Sequence, residues 1–200
     1  MRTPVHALQP PFPLPMILAT GALLLICATP LCATAGPELS PLAKVHDFQL
    51  IVLEQDLIPL AEAMPADKYD FAPTVGEFKG VRTFAQQISH TAAAIYTFSA
   101  AVLEEKLPKE LEAGEYGPAT LKTKEDLVAY LKGAFAYAHR AMAKLTAENL
   151  GDDVQAWWGK APRMFMADGA IWHSYDHYGQ LVVYLRMNGI VPPASRPKPK

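Results

Sequence analysis

The residues of this chain best suited to chemistry are two histidines in the run His173-Ser174-Tyr175-Asp176-His177. Side chains four apart on an α-helix stand about 40° from one another around the axis and one turn apart along it, so both imidazoles can face a single metal ion. Met166, Gly169, Ala170, Gln180 and Tyr184 fall near the same face. That stripe of apolar and small residues turns the histidines inward. A pair at this spacing also arises by chance, and a histidine on an apolar face is more often a hydrogen-bonded core residue than a ligand. His90 shifts the balance, because its helical neighbours Thr83, Gln87, Ala94, Thr97 and Ala101 are small or polar and leave room beside the ring. Three neutral imidazoles from two helices would form a facial donor set for Zn2+, Ni2+ or another borderline divalent ion, with positions left for water or substrate.

Other side chains admit two readings. Asp176 could brace an imidazole through a hydrogen bond or serve as a surface or interhelical carboxylate. Gly169 costs a helix about 1 kcal/mol relative to alanine, which makes sense where a neighbouring element or ligand comes close. Tyr184 alone among the nearby tyrosines shares the histidine face and could offer a hydroxyl to substrate, whereas Tyr175 and Tyr178 are expected to pack their rings and wet their tips. Trp157-Trp158 read either as a substrate lid or as aromatic plugs closing the end of the helical core, the plug being the commoner use of such residues. His46 and His139 lack partners at ligand spacing and read as non-ligands, with His46 in reserve. Lys44, Asp47 and Glu54 read as a solvated helix face. HExxH is missing because Ser174 follows His173, and ExxH, CxxCH, GxSxG and Walker motifs are missing too. These gaps exclude zincin, ferritin-like di-iron, c-type haem, serine-hydrolase and P-loop chemistry.

The elements that must position these residues are four apolar-periodic stretches without the period-two alternation of a sheet, so the fold class is all-α. The first, Pro41–Met64, carries Leu42, Val45, Leu50, Leu53, Leu57, Leu60 and Met64 at helical spacing, with Pro59 expected to kink it or end its regular part. Pro65–Gly80 reads as a long loop packed across the core by Tyr69, Phe71 and Phe78. The second helix is expected over Val81–Glu105, followed by a polar loop, Lys106–Thr123. Thr123 and Asp126 then supply an N-cap and a first-turn carboxylate. The third helix, Lys124–Leu145, aligns Leu127, Leu131, Ala134, Ala138, Met142 and Leu145. The fourth starts near Pro162 and runs to Asn188, with Gly189 as its C-cap. The tail 194–200 (ASRPKPK) is expected to be disordered.

The chain has 200 residues, 50% hydrophobic and 19% charged, which fits one folded domain and excludes disordered, collagen-like and multi-span membrane classes. A net charge of −2 argues against a nucleic-acid partner, which calls for a basic excess. Arg2 and His6, the apolar run Met16–Thr29 and the small residues Ala33-Thr34-Ala35 form the pattern of a signal peptide over 1–35. The expected protein is exported, periplasmic or secreted. The apolar run is shorter than the roughly 20 residues that cross a bilayer, so no membrane span is expected after cleavage. Ile26 and Leu31, bulky residues before Cys27 and Cys32, argue against a lipid anchor. Both cysteines lie in the expected signal, leaving His, Asp and Glu as the ligands available to a metal.

The chain resembles the DinB-like (DinB/YfiT) metal-binding four-helix bundles. The resemblance runs over about residues 41–193, through Met64-Pro65-Ala66-Asp67-Lys68-Tyr69-Asp70-Phe71-Ala72-Pro73 and Val81-Arg82-Thr83-Phe84-Ala85-Gln86-Gln87-Ile88-Ser89-His90. It closes on His173 to Pro193, where HxxxH, Gly179-Gln180, Tyr184-Leu185-Arg186 and Gly189-x-x-Pro192-Pro193 match the family pattern. The resemblance implies a four-helix bundle with long crossover loops over 36–193, and His90, His173 and His177 as metal ligands. It also implies a small-molecule substrate, with a low-molecular-weight thiol among the candidates, since members include thiol-dependent transferases and isomerases. The functional expectation is an exported protein holding one divalent ion, Zn or Ni, as a transferase or hydrolase. The alternatives are a non-catalytic metal- or small-ligand-binding bundle and a structural module whose histidines are hydrogen-bonded core residues. Apolar positions that could serve either core or a dimer face leave a homodimer open.

Overall fold

Ser40 starts the first helix: its Oγ accepts a hydrogen bond from the Ala43 backbone N–H at 3.0 Å and donates one to the Leu145 carbonyl. Helix α1 then spans Pro41–Ala63. Pro59 neither breaks nor ends it, and the helix continues to Ala63. The stop comes at Met64, extended at φ −72°, ψ 126°, because the following Pro65 disfavours helical geometry in the residue before it. The computed structural model describes residues 38–109 and 114–197. The expected signal segment, its two cysteines and residues 198–200 lie outside the described residues.

Helix α2 is Phe84–Leu103, three residues shorter at its start than expected, because Thr83 and Gln86 form a reciprocal capping box there. Thr123 and Asp126 build the same device ahead of α3, Lys124–Met142. Helix α4 is Arg163–Met187, with Pro162 just outside it as the N-cap. Between α3 and α4 the structure adds an element that periodicity did not reveal, an antiparallel hairpin of β1, Asp153–Ala156, and β2, Gly159–Pro162. Four-residue strands are too short for an alternation to stand out, although Val154 and Ala156 do face inward. Trp157 and Trp158 form the turn.

Helix α2 packs on α3 and α4, and α1 packs on the same two. The helices α1 and α2 therefore stand on one diagonal of a four-helix bundle, and α3 and α4 on the other. Connecting diagonal helices requires long crossovers. The first, residues 64–83, contains a 3-10 turn at Ala66–Lys68 and is pinned by Tyr69, whose hydroxyl donates to the Ala61 carbonyl at 2.7 Å. Backbone N–H groups of Phe84 and Ala85 donate to the carbonyls of Phe71 and Tyr69, which sets the start of α2. The core is filled by Leu50, Leu53, Leu57, Ile88, Phe135 and Leu131, while Val45, expected on the core stripe, is exposed. Gly169 of α4 lies under the Phe98 ring of α2, and a Cβ there would overlap that ring. Of the tail expected to be disordered, residues 194–197 are described and include part of a 3-10 turn, Pro193–Ser195, held by Arg186 donating to Ser195 Oγ at 3.0 Å. Among the described residues no helix is long and apolar enough to cross a membrane.

Asp47 and Glu54 are not the solvated face expected of them. They flank His139 of α3, with its Nδ1 at 2.6 Å from Asp47 Oδ1 and its Nε2 at 3.2 Å from Glu54 Oε2. Burial opposes the charge on this ring, but hydrogen bonds to the two carboxylates and their charges outweigh it and hold the His139 pKa above the ordinary value. The protonated ring therefore favours the fold. Its contribution is complete below about pH 6.5, the unfolded value, and is lost as pH rises through the higher folded value. Between pH 6 and pH 8.5 the melting temperature of wild type is expected to fall by a few degrees more than that of His139→Gln. Parallel melting curves for the two proteins across that window would contradict this.

Candidate metal centre

His90 lies on α2 and His173 and His177 lie one turn apart on α4. Because α2 and α4 are neighbours, the three rings meet between them, with centroids 4.8 Å apart for His90 and His177, 4.7 Å for His173 and His177, and 5.2 Å for His90 and His173. Each ring offers one nitrogen, and these atoms all lie within 4.8 Å of one another. The Nε2 atoms of His90 and His173 are 3.2 Å apart. A tetrahedral zinc ion with bonds of about 2.0–2.1 Å holds its nitrogen donors roughly 3.3 Å apart. The spacing and the donor chemistry therefore fit a metal ion of this size. The three histidines are positioned to bind one.

Hydrogen bonds on the far side of the rings aim the donors. The Nδ1–H of His90 donates to the Glu115 carbonyl at 2.8 Å, and a carbonyl can only accept. Its Nε2 is left with a lone pair. His177 is held by a longer relay: its Nδ1–H donates to Gln87 Oε1 at 2.5 Å, Gln87 Nε2 donates to Gln180 Oε1 at 2.7 Å, and Gln180 Nε2 donates to Asp176 Oδ2 at 3.0 Å. Asp176 thus braces an imidazole through two glutamines rather than directly. Burial, followed by the charges of the neighbouring histidines, lowers the pKa of His177 to about 4. Burial is also the first cause of the lowered values of His90 and His173. The rings are neutral at neutral pH, which is the state a metal requires.

Other candidates fall outside the cluster. His46 is buried with its Nδ1 3.0 Å from the Leu42 carbonyl and its Nε2 3.0 Å from Asp168, so both nitrogens are engaged. His139 sits between its two carboxylates on α1. The Tyr184 hydroxyl donates to the Arg82 carbonyl at 3.0 Å, fixing the start of α2 rather than facing a substrate. Tyr175 and Tyr178 pack edge to face with each other. Sequence reasoning did not single out Gln87 as an orienting group, nor Arg82, whose guanidinium pairs with Glu115, stacks over Tyr116 and adds positive charge near all three histidines. The only signal for Gln87 was its place one turn before His90.

A cavity of about 690 Å³ opens beside His90 and His173. Trp157 and Trp158 border it from the hairpin turn, 61% and 51% exposed. That overturns the plug reading, since plugs would be buried in the bundle end. The lid reading survives in modified form, with the two indoles as cavity wall.

Residues 49–181 match the model of the DinB superfamily. Among solved structures, the chain is similar to a DinB-like protein of Bacillus subtilis, with 18% identity and a TM-score of 0.56 over 72% of this chain and 92% of that one. It is similar to a conserved protein of Enterococcus faecalis, with 17% identity and a TM-score of 0.56 over 72% and 95% of the two chains. A protein ascribed to the DinB family in Exiguobacterium sibiricum shares 21% identity, with a TM-score of 0.58 over 76% and 95%. At these identities the likeness establishes the fold. No curated protein matches the chain.

Proposed function

The chain belongs to the DinB superfamily, and from that premise we propose that it holds one Zn2+ or Ni2+ ion through His90, His173 and His177 and catalyses a transfer or hydrolysis on a small molecule in the adjoining cavity. The observation that carries this reading is the convergence of three ring nitrogens, two of them aimed by hydrogen bonds at Nδ1. Three nitrogen donors suit a borderline divalent ion and leave a coordination position open. A bound ion would supply Lewis acidity, polarising a substrate oxygen or lowering the pKa of a bound water or thiol. The chain's own residues orient and flank the site: Gln87 holds His177, the Glu115 carbonyl holds His90, and the aromatic cavity wall stands beside His90 and His173. Asp176 and Arg82 place charges of opposite sign near His173 and His177.

A second reading, a metal- or ligand-binding bundle without turnover, draws support from one feature. Among the described residues lining the cavity, Glu115 is the single carboxylate, and it is engaged with Arg82. Among the described residues of the lining, no unengaged general base stands beside the imidazoles of His90 and His173.

Elemental analysis of the purified chain, followed by Zn2+ and Ni2+ titration, is expected to find one tightly held ion. A panel of thiol-dependent transfers and hydrolysable esters and amides is expected to show turnover that a chelator abolishes. No ion bound under any loading would remove the metal reading. A tightly bound ion with no turnover across the panel would select the binder. Export is proposed on Met16–Thr29 and Ala33-Thr34-Ala35, and the intact mass of the same sample is expected to correspond to a chain beginning at Gly36. A retained 1–35 segment would contradict it.

A further inference from the structure

Five aromatic side chains lining the cavity form a closed circuit of ring contacts. Phe98 of α2 meets Trp157 at 5.1 Å between centroids, Trp157 meets Trp158 at 4.1 Å, and Trp158 meets Phe165 at 6.1 Å. Phe165 meets Trp172 at 6.2 Å, and Trp172 returns to Phe98 at 6.1 Å. Every contact in the circuit is edge to face, with interplanar angles from 64° to 89°. Both Phe98 and Trp172 also lie 6.0 Å from the His173 ring. Three separate elements build this circuit: α2, the hairpin turn and α4. Phe98 is buried, but the other four members are about half exposed. So much aromatic surface left to water around one concavity marks a binding site rather than a core.

We propose that the cavity takes a neutral or anionic small molecule with a planar aromatic body, packed against this aromatic wall and carrying one oxygen or sulfur donor that reaches the His90–His173 end. Edge-to-face walls present both ring edges and ring faces to a flat guest, which can stack on one indole while receiving the edge of another. The volume, about 690 Å³, has room for a body of two fused rings and more, and falls within the range of ordinary ligand sites. Along the polar side, Thr97 donates its hydroxyl to the Ala93 carbonyl at 2.8 Å, and Glu115 is taken up by Arg82. Among the described residues, recognition by the wall is therefore apolar, and the histidine end supplies the polar contact. Aromatic cages also attract cations, but a divalent ion held by the three imidazoles would repel a cationic guest. The donor end of this proposal rests on the metal reading above, whereas the aromatic body rests on the circuit alone.

The test uses the full chain, chelator-treated and zinc-loaded, with 2-naphthoate, cyclohexanecarboxylate and phenyltrimethylammonium as probes in calorimetry and tryptophan-quenching titrations. 2-Naphthoate is expected to bind both forms, about tenfold more tightly than the saturated acid and about tenfold more tightly again with zinc present. Trp157→Ala and Trp158→Ala should each weaken 2-naphthoate about tenfold in both forms with zinc content unchanged, and Trp158→Phe should restore most of the loss. Both indoles are exposed, so folding of the variants is checked by unchanged melting curves. Equal affinity for the two acids, tightest binding of the ammonium probe, or wild-type affinity in both alanine variants would overturn the proposal. So would a dimer that Trp158→Ala dissociates in a protein with no affinity for 2-naphthoate. Naphthoate binding that needs Trp157 and Trp158 in a protein taking up neither Zn2+ nor Ni2+ would uphold the aromatic body and remove the metal reading. Zinc bound without naphthoate affinity would do the reverse.

Discussion

Alanine in place of any one of His90, His173 or His177 is expected to reduce a stoichiometrically bound metal ion to traces. Structural zinc sites bind with about 10–16 kcal/mol, which shared among four ligands is roughly 2.5–4 kcal/mol each, or a factor on the order of 10²–10³ in affinity per ligand lost. The three variants differ in what else they disturb. His177 is buried and donates to Gln87, so His177→Ala also opens a space and leaves a buried amide oxygen without its partner, at a cost of about 1–3 kcal/mol in stability. His90 and His173 are only partly buried. Their alanine variants should melt close to wild type while losing the ion, which separates coordination from folding. The measurements are elemental analysis after dialysis and competition against a chromophoric chelator. If all three variants kept wild-type occupancy, the ring nitrogens would not be the ligands, whatever their spacing.

Gln87→Leu is expected to cost about 10–100-fold in metal affinity without touching a ligand, the usual effect of losing the group that orients a metal-bound imidazole. The Gln87 side chain accepts from His177 Nδ1 and donates to Gln180. Leucine does neither, so the His177 ring is free to turn and to take the wrong tautomer. Gln87→Glu supplies the discriminating control. A carboxylate accepts from His177 Nδ1 at least as well as the amide, so affinity should return to near the wild-type value even though the bond to Gln180 is lost. A purely structural role would predict the opposite order, because a buried charge destabilises more than a leucine of similar volume. Zinc competition titrations on the three proteins decide the matter, and a leucine variant within twofold of wild type would exclude the orienting role.

Both results depend on residues of unequal legibility. The helix starts at Thr83 and Thr123 could be read because a capping box is a local contract between residues three apart. The spacing of His173 and His177 was equally local, a matter of 3.6 residues per turn. Gly169 announced a close approach without naming Phe98 as the ring that makes it. The hairpin escaped because four-residue strands carry too little alternation, and with it went the placement of Trp157 and Trp158. The clasp of His139 by Asp47 and Glu54 escaped for another reason: charged residues at helical spacing look the same whether they face water or a neighbouring helix.

By itself the amino-acid sequence determined four helices, their caps, the apolar faces that drive them together, and three histidines of the right type for a divalent ion. Those properties are set by interactions within one or two turns of chain. Only the tertiary structure decided that α2 and α4 are neighbours, and hence that His90 meets a pair 83 positions away. It also decided that Gln87 reaches His177 and that a turn after α3 completes an aromatic circuit with residues of α2 and α4. The physical reason is that such meetings depend on which apolar faces pack against which, a choice made by the whole core at once and recorded in no local pattern.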